Sequence, residues 1–325
     1  MELQTFTPQY LPAAAELFVR NFRTLRASVA ALPATLEDTA LISHKLERLL
    51  ARHPGVVVLE HGRLVGYLVY MILDNFRDTG RRAAYCPEWA HAVQAGVQAK
   101  VYPQMYRQVG EQWAAQGCQV HAITLLANDP QALQTWFWSG FGLAVVDAVR
   151  PLQPLERPAN SALRIRQAVM ADADALASLE VEHRRYYSAS PVFMAPRAGM
   201  SADDFRQFLA QPDNSVWLAL DGSRPVGFLR LDGYELDGAD AIVFPGTVFI
   251  SGAFILPDYR GQGGSTAMLE AALRHHAALG KTCCAVDFET FNPDAAAFWP
   301  QHFQSVCLSL MRVPETVSLD IPAGK

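Results

Sequence analysis

Long apolar runs are missing from this chain: no uncharged stretch approaches the ~18 residues that a membrane-spanning helix requires. A surplus of positive charge is missing too. Lysine and arginine number 27 against 32 aspartates and glutamates, for a formal net charge of -5 and a pI near 6.0. Nucleic-acid sleeves and polybasic membrane anchors need a concentrated positive surface, so neither kind of partner is expected. Cysteine is sparse. The five present, Cys86, Cys118, Cys283, Cys284 and Cys307, are odd in number and form no CxxC pair, which leaves a disulfide framework or a zinc site without support and makes buried free thiols the expectation. Met1 to Tyr10 lack the basic-then-apolar pattern of a secretory signal, and the expected location is the cytoplasm. Apolar residues, by contrast, are plentiful: 50% of 325 positions are hydrophobic, a length and composition that fit two soluble domains better than one.

Hydrophobic periodicity gives the same order of elements twice. In the first half the pattern predicts a strand at 3–6, helices at 12–27 and 37–52, and strands at 56–59, 64–72 and 82–85. A helix at 103–115, a strand at 120–126, a helix at 130–138 and a strand at 143–149 follow. The second half predicts a strand at 163–167, helices at 172–186 and 202–210, and strands at 216–220, 225–231 and 247–256. A helix at 265–279, a strand at 282–289, a helix at 293–302 and a strand at 305–312 complete it. Local matches support the duplication: "RLVGYLVY" from Arg63 aligns with "RPVGFLRL" from Arg224, and Gly117 aligns with Gly280. Between the halves, "RPLQPLERPANSA" has the proline content of a semi-rigid linker. The expected division is therefore 1–152, a linker at 153–162, and 163–325. The aromatic-rich "TWFWSGF" and "VYPQMY" of the first half are expected to pack in a core, the alternative being an acceptor pocket where the halves meet.

The segment "ILPDYRGQGGSTAML" (255–269) joins a strand to a helix through an arginine and three glycines. A helix start carries unpaired N–H groups and the positive end of the helix dipole, so Gly261, Gly263 and Gly264 allow an anion to approach the main chain, and Arg260 adds charge. Diphosphate suits such a turn. A dinucleotide fingerprint would need Gly or Ala where Thr266 stands, and "GKT" at Gly280 ends a helix and has His275 in place of the first phosphate-loop glycine.

The turn resembles motif A of the GNAT superfamily of acyl-CoA-dependent N-acyltransferases, a pattern of Arg or Gln, two residues, Gly, one residue, then Gly or Ala. Arg260, Gly261, Gln262, Gly263 and Gly264 match in order, with Ser265 at the last position. "AVDFETFNPDAAAFW" is similar to the family's motif B, Asn292 and Ala295 falling at its positions. The first half resembles the same fold but has Val97 and Lys100 where motif A has its arginine and glycine. The resemblance implies two tandem α/β domains, each with a mixed, mostly antiparallel central sheet flanked by helices, and acetyl-CoA bound in the second only.

It further implies cofactor contacts from Phe254, Ile255, Arg260, Gly261, Gln262, Gly263, Gly264, Ser265, Thr266, Asn292 and Trp299. Main-chain groups of Phe254 and Ile255 pair with the pantetheine arm and one N–H polarises the thioester carbonyl. The acceptor is a small-molecule or peptide amine that attacks directly. Glu289 is the candidate general base, because strand alternation puts it with Asp287 on the face bordering the cleft. The family's acid is a tyrosine eight positions into the Asn-led helix; that position is Trp299 here, which cannot donate in that way, and Tyr259 points elsewhere. His275 and His276 are expected on a solvated helix face and Asp258 in a turn. The expected activity is N-acetyl transfer, the alternative a non-catalytic acyl-CoA-binding module or sensor.

Overall fold

The structure, a computed structural model, describes residues 1–156, 160–233 and 238–315. In chain order the first elements are β1 (Glu2–Thr5), α1 (Leu11–Ser28), α2 (Thr39–Leu50), β2 (Gly55–Glu60), β3 (Arg63–Val69), β4 (Met71–Leu73), β5 (Ala83–Cys86) and β6 (His91–Val93). Then come α3 (Gln98–Ala115), β7 (Val120–Leu126), α4 (Pro130–Trp138) and β8 (Gly142–Pro151). The second run is β9 (Arg164–Gln167), α5 (Ala173–Ser188), α6 (Ala202–Leu209), β10 (Ser215–Asp221), β11 (Arg224–Asp232), β12 (Thr247–Ile255), α7 (Gly264–Ala278), β13 (Cys283–Glu289), α8 (Pro293–Phe298) and β14 (Gln304–Arg312). This is an α/β chain of mixed sheets flanked by helices. The described residues fall into two units: one of 1–147, 239–241 and 305–315, the other of 148–156, 160–233, 238 and 242–304.

In the first unit β1, β2, β3 and β6 form an antiparallel sheet, with Gly55 opposite Val69 and Gly66 opposite Val93. In its second sheet β5 runs parallel to β7, and β7 pairs antiparallel with β14, Cys307 facing Leu126 and Arg312 facing His121. The strand expected to close the second half thus closes the first unit. Its ladder with β7 continues in side chains, Thr124 Oγ1 lying 2.8 Å from Ser309 Oγ. The strand expected at 64–72 breaks at Tyr70 into β3 and β4, which lie in different sheets; Tyr70 turns inward onto Trp113, ring centroids 5.3 Å apart. α3 starts at Gln98 instead of Pro103, because Pro103 is accommodated inside the helix. Tyr106, Trp136 and Phe141 pack edge to face with centroids 4.7 to 5.4 Å apart, and Trp113 tilts against Tyr106 at 5.8 Å; these aromatics form a core as expected, whereas Phe137 and Trp138 of the same stretch are 46% and 85% exposed and lie outside it.

The second unit holds β9, β10, β11 and β12 as successive antiparallel neighbours, with β13 parallel to β12. The end of β8 belongs here, Leu152 N–H donating to Thr282 O at 3.1 Å. Phe205, Val216, Leu218, Phe228 and Phe254 make a core under α5 and α6. α6 starts on a capping box in which the Ser201 hydroxyl takes Asp204 N–H and the Asp204 carboxylate takes Ser201 N–H. α8 ends at Phe298, earlier than the expected 302, and passes into a 3-10 turn over Trp299–Gln301. Pro300 has no N–H to continue the helical ladder. All five cysteines are buried free thiols, and no described helix is long and apolar enough to cross a membrane.

Candidate functional site

β12 and β13 run side by side only from Thr247 and Cys283 to Ile250 and Val286. Beyond that they part. A β-bulge at Ser251 marks the divergence, since Leu231 faces Ile250 while Arg230 faces Gly252. The extra residue bends the strand, and Arg230 pins it, donating from Nη2 to Ser251 O at 2.6 Å and from Nε to Ser251 Oγ at 3.0 Å. Phe254 and Ile255 pair through β11 on one side, opposite Phe228 and Gly227; on the other side β12 borders a cleft of about 570 Å³. The opposite wall carries Val286, Asp287, Phe288 and Glu289, and α5 lines it with His183, Arg184, Tyr186 and Tyr187.

The glycine turn closes one end. Gly261 and Gly263 both sit in the left-handed region, at φ 73 and 74°, where a side chain would be strained. Gly263 is the N-cap of α7, and the first intrahelical bond is Ala267 N–H to Gly263 O at 2.9 Å. The N–H groups of Gly264, Ser265 and Thr266 precede it and have no partner within the helix. Gly263 also has a packing duty. A Cβ there would collide with the Asn160 carbonyl.

Arg260 faces the cleft but is engaged within the protein. Its Nη1 donates to Asp294 at 2.5 Å, its Nε to Ile255 O at 3.2 Å, and its guanidinium lies 4.6 Å from the centre of the Tyr186 ring. The Tyr186 hydroxyl has two acceptors within reach of its one hydrogen, the Asp294 carboxylate at 2.7 Å and Asn292 Oδ1 at 2.9 Å; burial first and the Asp294 carboxylate second push it up to about 12. Asn292 also caps α8 by accepting Ala295 N–H at 3.3 Å.

The remaining expected site residues divide. Ser265, Thr266 and Trp299 line the cleft, Trp299 packing on Phe298 and Phe303. Gln262 turns back, its Nε2 donating to Asp258 O at 3.0 Å, and the Tyr259 hydroxyl goes to Asp221 at 3.0 Å. Glu289 and Asp287 face the same side of β13 and raise the Tyr187 hydroxyl, after burial as the main cause. His276 overturns its expectation. It is buried, not solvated, its Nε2 lying 2.8 Å from Ser215 Oγ, and burial lowers its imidazole to about 4.

Periodicity alone did not single out the α5 contribution. Ala173, Leu176, Leu179, Glu180 and His183 form its buried face, the helical spacing of an ordinary core stripe with two polar members. The signal lay in "LEVEHRRYY", where buried spacing falls on a carboxylate and an imidazole. Among the described residues no His, Cys, Asp and Glu group could hold a metal ion.

Residues 179–303 match the model of the acetyltransferase (GNAT) family. In fold the chain is similar to a GCN5-related N-acetyltransferase from Sphaerobacter thermophilus, with 14% identity, 96% of this chain and 95% of that one covered, and a TM-score of 0.56. It is also similar to a GCN5-related glucosamine N-acetyltransferase region of a fungal multi-domain β-N-acetylglucosaminidase. There the identity is 13%, the coverage 95% of this chain and 38% of that one, and the TM-score 0.50. No curated protein matches the sequence significantly.

Proposed function

From the GNAT-family domain at residues 179–303, we propose that the second unit binds acetyl-CoA in its cleft and transfers the acetyl group to an amine. The parting of β12 from β13 beside the start of α7 carries this reading. Past its pairing with β13 at Ile250, the cleft side of β12 has no described strand beside it, which suits an extended amide arm lying as an added strand. The N–H groups of Gly264, Ser265 and Thr266, at the positive end of a 15-residue helix, suit a diphosphate. Acetyl-CoA supplies a thioester carbonyl, and a β12 main-chain N–H aimed at it stabilises the charge that develops there.

Glu289 takes a proton from the acceptor nitrogen, with Asp287 on the same face drawing the ammonium into the cleft. Trp299 stands where the related fold would place an acid and offers none. Thiol release from acetyl-CoA, followed with a panel of amines, tests turnover, and calorimetry tests binding. Glu289→Gln is expected to slow transfer about a hundredfold and to spare acetyl-CoA affinity; an unchanged rate removes Glu289 from the mechanism. Trp299 favours one second reading, an acyl-CoA-binding module without turnover, which predicts binding with no thiol released for any amine.

A further inference from the structure

α5 carries two buried polar side chains where its spacing calls for apolar ones. Glu180 is fully buried and His183 is 3% exposed. Glu180 Oε2 lies 3.1 Å from His183 Nδ1, and Glu180 Oε1 accepts from Arg184 Nε at 2.6 Å. A carboxylate can only accept, so Nδ1 carries the hydrogen and the neutral ring keeps its lone pair on Nε2. That Nε2 is buried and has no hydrogen-bond partner. An orphaned buried acceptor forfeits the hydrogen bond that water would give it, a local inconsistency of the kind that marks functional positions. The imidazole lines the cleft, and its ring centre lies 5.5 Å from that of Phe254 on the strand bordering the proposed thioester.

We propose that His183, held by Glu180, is the proton relay of this cleft and fills the role that Trp299 cannot. This rests on the acyl-transfer reading above. The acceptor enters as an ammonium and gives one proton to Glu289, which passes it to solvent. As the nitrogen lone pair forms the C–N bond, the second proton moves to His183 Nε2; the C–S bond breaks, and the imidazolium returns that proton to the departing sulfur. One ammonium and one thioester thus give one amide, one thiol and one proton. Glu180 is a positioning residue that fixes the tautomer and steadies the cation.

Other groups bear on His183. Burial lowers its pKa, the Glu180 hydrogen bond and charge raise it, and Arg184 on α5 and Arg230 on β11 lower it further. Tyr187 packs on the ring at 4.5 Å, with Asp287 and Glu289 of β13 acting on the Tyr187 hydroxyl. A relay with a depressed pKa is neutral at pH 7, ready to accept, and becomes a stronger acid once charged.

The test uses the full chain, with acetyl-CoA as donor and spermidine, glucosamine, tyramine, lysine or water as acceptor. His183→Asn keeps a side-chain N–H for Glu180 but has no Nε2, and His183→Phe keeps the ring volume. Both are expected to bind acetyl-CoA as the parent does and to lose about a hundredfold in the fastest thiol release. Parent-like turnover in His183→Asn overturns the relay and leaves the acyl-transfer reading standing, whereas a parent that neither binds nor turns over acetyl-CoA removes that reading itself. Glu180→Gln, which withdraws the charge that raises the imidazole pKa, is expected to move the acidic limb of the rate profile to lower pH. A purely structural Glu180 leaves that limb in place. Independently of turnover, long-range ¹⁵N spectra of the unliganded protein at pH 7 are expected to show His183 neutral with the hydrogen on Nδ1; hydrogen on Nε2, or a charged ring, overturns the proposal.

Discussion

The first unit has a cavity of its own, about 430 Å³, bordered by β6, β7 and the starts of α3 and α4. The second unit places its cleft among the matching elements. They differ in charge and in how the helix start is used. In the second, Gly261 and Gly263 hold left-handed turns before α7 and Arg260 stands beside them. In the first, Gln98 fills that place: its Oε1 accepts Gly96 N–H at 2.7 Å and its Nε2 donates to the Asp129 carboxylate at 3.2 and 3.3 Å. The described residues lining that cavity include Glu88 and Asp129 and no lysine or arginine. The repeated order of elements thus carries two differently charged linings, because a few side chains at one turn decide whether backbone N–H groups are left open to the cleft or met by a neighbouring amide.

The largest test of this contrast places a glutamate at each helix start. Ser265→Glu is expected to weaken acetyl-CoA binding about a thousandfold, since one charge about 4 Å from a diphosphate costs roughly 4 kcal/mol at an effective dielectric of about 20. The helix itself gains from an acidic residue there. Lys100→Glu, in the first turn of the first unit's α3, is expected to leave affinity unchanged by calorimetry. A loss with Lys100→Glu would place the donor in the wrong unit.

A somewhat smaller effect marks the acidic character of the first unit. Glu88 is 1% exposed and accepts Ala241 N–H at 3.0 Å; burial first, and the Asp240 charge second, raise it from 4.5 to about 7. Its folded value exceeds its unfolded one. The stability it contributes is therefore full below pH 4.5 and lost as pH rises through 7, by roughly 3 kcal/mol. Urea unfolding at pH 5 and pH 8 should show this loss in the parent and not in Glu88→Gln, whose amide oxygen can still accept from Ala241. Equal losses in both proteins would show that Glu88 is charged throughout.

The smallest effect concerns Arg260. Its partner Asp294 is 55% exposed on the side chain, and exposed ion pairs contribute at most about 1 kcal/mol. Asp294→Asn should leave stability nearly unchanged and tighten acetyl-CoA binding no more than about fivefold, by freeing the guanidinium. Weaker binding would mean that Asp294 positions Arg260 instead of competing for it.

Much of the second unit's cleft was legible because its signals are local. The strand, the glycine turn and α7 lie within a few tens of residues, so the resemblance carried by that short segment implied Phe254, Ile255, Ser265 and Thr266, and the structure sets all four along the cleft. Other features join distant segments. Tyr186 meets Asn292 and Asp294 across 106 and 108 residues, and no periodicity encodes that pairing. The helical spacing of α5 placed Glu180 and His183 on its apolar stripe, yet spacing did not tell that the two side chains would meet against Phe254. His276 was misplaced for the same reason.

By itself the sequence determined the repeated order of strands and helices, the left-handed glycine turn and the asymmetry between its two halves, since each depends on residues close along the chain. Tertiary structure alone decided that β14 joins β7, because strands from two related copies carry nearly interchangeable patterns and only packing selects between them. It alone also brought Glu180, His183 and Phe254 together, since such contacts are set by how helices settle on a sheet and not by any local rule.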